Sequence, residues 1–357
     1  MSAPVRFSPS LEQMEEDEDK TIAELRDTLL EISKTTCKDE KEALRAVHAK
    51  SHALLKGTLT VADNLPVHLA QGLFAQPGQY KTIMRISAAP GDLLPDAVSP
   101  HRGLAIKIKG VSGERLAGGY NDGAQDILLA NGKAFNAASL KKFLANLKLL
   151  AKTTDKAEGL KVALSTALRS IEGGLEAVGL QSATLTALGG HPPFNPLGEE
   201  FFSQVPVRYG DYIAKFGLFP ATPEQKKLGE TKIDVSEGYD PVRQAVRSTM
   251  AGQGAVWELR VQLNTDLEEM PIEKPEVAWP EDASPYLMVG RIEMPPQESW
   301  SDEAVADIDK AMAFNPWNGL VAHQPMGAIN RARKIVYPAS AGFRLATNGC
   351  PFAHGKA

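Results

Sequence analysis

Three short clusters in this sequence combine residue types that could do chemistry together. The first is Arg45-Ala46-Val47-His48-Ala49-Lys50. The second is Met84-Arg85-Ile86-Ser87. The third is Arg333-Lys334-Ile335-Val336-Tyr337-Pro338, followed by Ser340 and Arg344. Guanidinium groups hold carboxylates and phosphates through charge-assisted hydrogen bonds. A neutral imidazole can take a proton from one atom and give it to another. A phenol ionises more readily beside a cation, and Arg333 precedes Tyr337 by one helical turn, close enough on a helix to reach the phenol oxygen. Taken singly, each cluster has an ordinary structural reading, and composition and spacing alone leave the function open.

The elements that must position these clusters are legible in outline. KTIAELRDTLLEISKT (20–35) places Ile22, Leu25, Leu29, Leu30 and Ile32 on one helical face. The periodicity of DEKEALRAVHAKSHALL predicts a second helix from Asp39, stopped by Gly57, with TLTV as a strand. YKTIMRIS (80–87) and GLAIKIKG (103–110) alternate as strands, and QDILLA (125–130) is a short apolar strand. Helical patterns occupy 139–152 and 156–179. Strand patterns return in VPVRYGDYIAKFGLFP, AVWELRVQLN and YLMVGRIEM, and DEAVADIDKAMAF (302–314) reads as helix. Strands without regular crossover helices predict an α+β, largely antiparallel architecture.

Composition narrows the function classes. The 357 residues are 43% hydrophobic and 23% charged, as in an ordinary globular chain. A net charge of -5 argues against nucleic acid or an anionic membrane as partner. Two cysteines, Cys37 and Cys350, form no disulfide framework. The acidic opening lacks a signal peptide's apolar stretch, and no run of eighteen apolar residues occurs. The sequence therefore reads as soluble and cytoplasmic. It has no G-x-G-x-x-G after a strand, no P-loop, no H-E-x-x-H and no paired C-x-x-C. His48 and His52 are four apart, but two ligands do not make a zinc site.

Together and in order, the clusters resemble the haem-dependent catalase family. Its distal R-V-V-H-A-K is matched by R-A-V-H-A-K at 45–50, its R-F-S by R-I-S at 85–87, and its D-P-R-G-F-A-V-K by P-H-R-G-L-A-I-K at 100–107. A-F-D-P-x-N looks like A-F-N-P-W-N at 313–318, and R-L-F-A-Y-P-D-T-H-R-H-R like R-K-I-V-Y-P-A-S-A-G-F-R at 333–344. The resemblance implies an antiparallel β-barrel with helices around it and haem b between barrel and helices. Tyr337 would be the iron ligand, held as phenolate by Arg333. His48 would be the proton shuttle, held by Ser87. Arg45, Arg85 and Arg344 would face the haem propionates, with Val47, Phe135 and Ser340 completing the cofactor site. The distal amide falls on Asn121 or Asp122. Asn121 suits the chemistry better, because an amide can donate to peroxide and a carboxylate cannot. Against the helical periodicity, the resemblance puts His48 in extended or irregular chain.

The implied activity is decomposition of hydrogen peroxide, with oxidation of small organic donors. Two alternatives are an allene oxide synthase-like rearrangement of fatty acid hydroperoxides and a non-enzymatic haem-binding protein. Val47, where the synthase has threonine, favours peroxide removal. The organisation read from the sequence is an acidic arm and helix (1–38), a haem-binding core (39–345) and a tail (346–357). The chain is shorter around this core than catalases of ordinary size. NADPH is not expected, and a homo-oligomer is compatible with the resemblance.

Overall fold

The computed structural model describes residues 3–120, 122–153 and 190–349. Asn121, the helical pattern at 156–179 and the Cys350 tail lie outside the described residues. The strands are β1 (Ser51–Val61), β2 (Gln79–Ala88), β3 (Arg102–Lys109), β4 (Ala124–Ala130), β5 (Phe201–Phe202), β6 (Val207–Tyr209), β7 (Tyr212–Pro220), β8 (Ala255–Leu263) and β9 (Leu287–Met294). Every ladder is antiparallel. Pairing runs β5-β4-β3-β2-β1-β9-β8-β7, and β5 returns to β7, so eight strands close a barrel, with β6 added at β7. Among the described strands, closure leaves no long unpaired edge.

Alternation along the strands sorts side chains between inside and outside. Met84 and Ile86, Leu104, Ile106 and Ile108, and Ile127 and Leu129 fill the barrel with Phe216, Trp257 and Leu259 from the opposite wall. Their neighbours Arg85, Ser87, Gly103, Ala105, Lys107 and Asp126 therefore stand on the outer face. The chemistry-bearing residues of β2–β4 thus share one outer wall.

Helices α1 (Glu18–Glu40), α2 (Leu140–Thr153) and α5 (Ala328–Thr347) pack together, α1 against both others. Their contact buries Ile22, Leu25, Leu29, Ile32, Leu140, Leu144, Ile329, Ala332 and Val336. Shorter helices α3 (Pro223–Leu228) and α4 (Pro241–Gly252) lie against β7 and β1 respectively. Asp302–Ala304 begins a helical segment that widens to a π-helix over Val305–Ala311. The helix α5 starts after Gly327 at φ 85°, and Glu273 Oε2 accepts the Ala328 N–H at 2.8 Å.

One local expectation is overturned. No second helix starts at Asp39: α1 itself runs to Glu40 and ends at Lys41 in the left-handed region, φ 55°. Residues 45–50 are irregular, β1 begins at Ser51, and Gly57 lies inside that strand. Strand pairing wins, because β1 satisfies its backbone against both β2 and β9.

Candidate functional site

The Arg45–Lys50 segment owes its shape to contacts on either side. His48 and Ala49 donate their N–H groups to the carbonyls of Ala89 and Pro90, at 2.8 and 2.9 Å. Lys50 is buried, and its ammonium is held by the carbonyls of Leu94 (2.7 Å) and Tyr239 (2.9 Å) and by Asp96 (2.8 Å) and Asp240 (2.9 Å). Between these anchors His48 has φ 57°, a left-handed conformation uncommon outside glycine. Arg85 Nη2 donates to its carbonyl at 2.7 Å. Such strain persists only where the surroundings enforce it.

The His48 ring lies against the barrel wall at Gly103. A Cβ there would stand 2.5 Å from Cε1 and 2.6 Å from Nδ1, so only glycine leaves room for the imidazole. Ser87 Oγ lies 3.4 Å from His48 Nδ1, the contact expected of it. Burial, then the charges of Arg85, Arg333, His101 and Arg45, pushes the His48 pKa down to about 3. The imidazole is therefore neutral at ordinary pH and can accept a proton.

The three arginines expected to act together converge. Arg45 and Arg85 both reach Asp309 Oδ1, at 3.2 and 2.8 Å, and Ser51 Oγ donates to the same oxygen at 2.7 Å. Arg45 and Arg344 both donate to the Met312 carbonyl at 2.9 Å, and Arg344 also bonds the Lys310 carbonyl. The π-helix and the residue after it thus organise the cluster. Burial opposes the charge on Asp309, but Arg85 and Arg45 with Ser51 hold its pKa down to about 2. Burial and the charges of Arg85 and Arg344 disfavour the charge on Arg45, an environment suited to further anionic groups.

Tyr337 and Ser340 lie on α5, both half-buried, with Arg344 buried on the same helix. Arg333 donates to Asn330 Oδ1 at 3.2 Å, one turn back, and its guanidinium stands 6.0 Å from the Phe135 ring centre. Phe135 meets Phe143 edge-on at 5.0 Å, and Val47 packs on the same helical cluster.

Asp122 is committed elsewhere. Its carboxylate takes Lys107 at 3.2 Å, the Ala124 N–H at 3.0 Å and Asn318 Nδ2 at 3.0 Å. Lys107 also holds Asp126, at 2.7 and 2.9 Å. Burial outweighs that pairing and raises the Asp126 pKa to about 6. The sequence reading missed Asp309 and the Lys107–Asp126 pair. Lys107 lay within a matched motif, but nothing local marked either carboxylate, and Asp309 stands 224 positions from Arg85.

The residues present fit the haem that the resemblance implies. A neutral imidazole, a cluster of three arginines and a half-buried phenol on a neighbouring helix form a donor set suited to an iron porphyrin with two carboxylates. No group of three or more potential metal-binding side chains occurs among the described residues. No described helix is long and apolar enough to cross a membrane.

No family model matches the chain, and no curated protein matches it in sequence. Solved structures do. A fungal catalase aligns with a TM-score of 0.61 at 18% identity, over 90% of this chain and 64% of its own. Catalase A from Saccharomyces cerevisiae aligns at 0.58 and 17%, over 90% and 66%. A bacterial catalase aligns at 0.60 and 15%, over 99% and 66%. The chain thus spans slightly less than two thirds of the length of each. The closed eight-stranded antiparallel barrel and the helices beside it are those of these structures: the chain has the catalase fold.

Proposed function

We propose that this chain is a haem-dependent hydroperoxidase that decomposes hydrogen peroxide and oxidises small organic donors with it. One observation carries the reading. A neutral histidine in a strained backbone conformation is held against glycine on the barrel wall that also presents Arg85 to the arginine cluster. A purely structural histidine needs no such arrangement.

In this reading Arg45, Arg85 and Arg344 would hold the haem propionates, and the Tyr337 phenol oxygen would be the ligand to iron, with Arg333 one turn before it on α5. Bound haem would supply the iron at which the peroxide O–O bond breaks. His48 accepts the proton from one peroxide oxygen and returns it to the other, and Ser87 orients the ring. Asn121 supplies the amide donor, and Val47 and Phe135 give the apolar surround that excludes water. The cytoplasm is the compartment that fits its sparse cysteines.

The test is oxygen evolution from hydrogen peroxide by the haem-loaded chain, beside turnover of a fatty acid hydroperoxide. His48→Ala should keep haem and lose ~10²–10⁴-fold in turnover. Tyr337→Phe should lose haem or change its absorption spectrum. Val47→Thr should lower dismutation with haem retained, because its hydroxyl can bond the imidazole. If His48→Ala dismutes peroxide as fast as the parent, the reading fails and simple haem binding replaces it. Turnover of the fatty acid hydroperoxide without oxygen evolution would favour the synthase-like reaction.

A further inference from the structure

The N-terminal arm crosses a cavity at the start of α5. The cavity holds about 270 Å³ and lies between residues 13–15 of the arm, the first turns of α2 and α5, and the 272–275 loop. Its floor is apolar: Leu140, Val205, Ile272, Pro275 and Ile329 line it, and all are buried. Leu140, Val205 and Ile329 belong to the cluster against which Val47 and Phe135 pack, and the Phe135 N–H donates to the Pro275 carbonyl at 2.9 Å. The floor therefore adjoins the apolar side of the candidate haem site. Ile329, Arg333 and Tyr337 follow at four-residue steps along α5, which puts the cavity roughly 12 Å along the helix from Tyr337. A void of roughly 150 Å³ already takes benzene, so this one has room for a substituted aromatic ring.

The arm above the cavity is held differently from its two ends. Before the cavity, Val5, Phe7 and Leu11 pack on the cluster of Ile213, Met270 and Ile272. After it, Ile22 and Leu25 of α1 enter the helical core. Between these apolar anchors residues 13–17 are exposed, Met14 to 64%, and the bonds that keep the arm down are polar. Arg331 on α5 donates to Glu12 at 2.8 Å, to Glu18 at 2.6 and 2.8 Å and to the Gln13 carbonyl at 3.2 Å. The Gln13 N–H donates to Glu273 Oε1 at 2.9 Å, and Arg331 reaches Glu273 at 2.9 and 3.1 Å. Lys141 on α2 meets Asp17 at 2.9 Å and Glu15 at 3.6 Å. Exposed ion pairs are each worth little, so this stretch can lift while both anchors stay packed. In these pairs Glu12, Glu15, Asp17, Glu18 and Glu273 face only Arg331 and Lys141, and a rim of that charge disfavours an anion.

We propose that this cavity seats the organic donor, a small uncharged aromatic molecule such as a phenol, and that residues 12–17 are its lid, latched by Arg331. The inference deepens the hydroperoxidase reading and rests on it. Two phenols would each give up their O–H hydrogen as one electron and one proton. Those two electrons and two protons reduce one hydrogen peroxide to two waters, with cleavage of its O–O bond. The electrons pass to the haem site through the packed start of α5. The donor need not enter the space at His48, which stays free for peroxide.

The test uses the haem-loaded full chain with guaiacol as the probe. Calorimetry should show guaiacol binding that survives blocking of the iron with cyanide. Phenolsulfonate, a similar ring with a fixed negative charge, should bind several-fold more weakly. Ala138→Trp fills the mouth of the cavity from an exposed position outside the proposed haem site. It should weaken guaiacol binding about tenfold, the size of a ring's lost burial, raise KM for guaiacol to match, and leave oxygen evolution from hydrogen peroxide unchanged. Arg331→Gln should speed guaiacol association and dissociation alike in stopped flow, with little change in affinity. Glu12→Gln removes one contact of the latch and should do the same by less. Guaiacol binding that cyanide abolishes, or that Ala138→Trp leaves intact, overturns the site, and phenolsulfonate binding as tight as guaiacol overturns the assigned ligand class. A folded Arg331→Gln protein in which only dissociation changes identifies a structural clamp and overturns the lid. If the parent neither evolves oxygen nor oxidises guaiacol, the hydroperoxidase reading falls, and the donor role with it.

Discussion

Gly103→Ala is the sharpest probe of how the barrel positions its histidine. The new methyl would stand 2.5 Å from His48 Cε1, 2.6 Å from Nδ1 and 3.2 Å from Nε2. Ordinary contact needs roughly 3.5–4 Å, so the ring must retreat by about 1 Å. It cannot do so along its backbone, which is tied to Ala89 and through its carbonyl to Arg85. The Ser87 contact, already 3.4 Å, would be lost. A displacement of about 1 Å typically costs ~10²-fold in rate, and overpacking costs roughly 1–3 kcal/mol in stability. Oxygen evolution per bound haem and a urea titration read the two effects separately. The cycle with His48→Ala isolates the cause: once the imidazole is gone the methyl has room, and Gly103→Ala should cost little further rate. A Gly103→Ala protein with full haem content and parental turnover would refute the argument that this glycine seats the His48 ring for the proposed proton transfer. So would an equal loss in both backgrounds.

Three further outcomes follow from the same geometry. Arg344→Ala should weaken haem retention by roughly 1.5–3 kcal/mol, the worth of a charged hydrogen bond, measured by haem transfer to an apo-globin acceptor; unchanged retention removes Arg344 from the cofactor site. Turnover should stay level through the usual histidine range near pH ~6.5 and fall only as pH approaches about 3, where His48 takes up its proton; a midpoint near 6.5 would mean that the ring is not held neutral. The Asp309 pKa lies below its usual 3.8, so its stabilisation is present above that value and lost as pH falls toward about 2. Asp309→Asn should therefore cost about 2 kcal/mol at neutral pH and progressively less in acid, in chemical denaturation across that range.

The sequence determined the local features that repeat with a short period. Alternation in YKTIMRIS and GLAIKIKG fixed which residues of β2 and β3 face the barrel interior. The helical face of residues 20–35 became the side of α1 that packs on α2 and α5. The clusters around His48, Arg85 and Tyr337 were visible as motifs because their order survives in the chain. Tertiary structure decided the rest. Residues 39–55 have helical periodicity, yet 51–55 pair with β2 as the start of a strand that continues to Val61, and the chain before it is irregular, with His48 at a left-handed φ. The arginines carry no local sign of their shared carboxylate, because Asp309 is supplied by a segment far along the chain. Buried Arg102 on β3 is held by Glu199, 97 positions away, a partner that nothing near either residue marks. Periodicity is a property of neighbours in sequence, whereas the charge state and direction of a buried group depend on partners that only folding brings within about 3 Å.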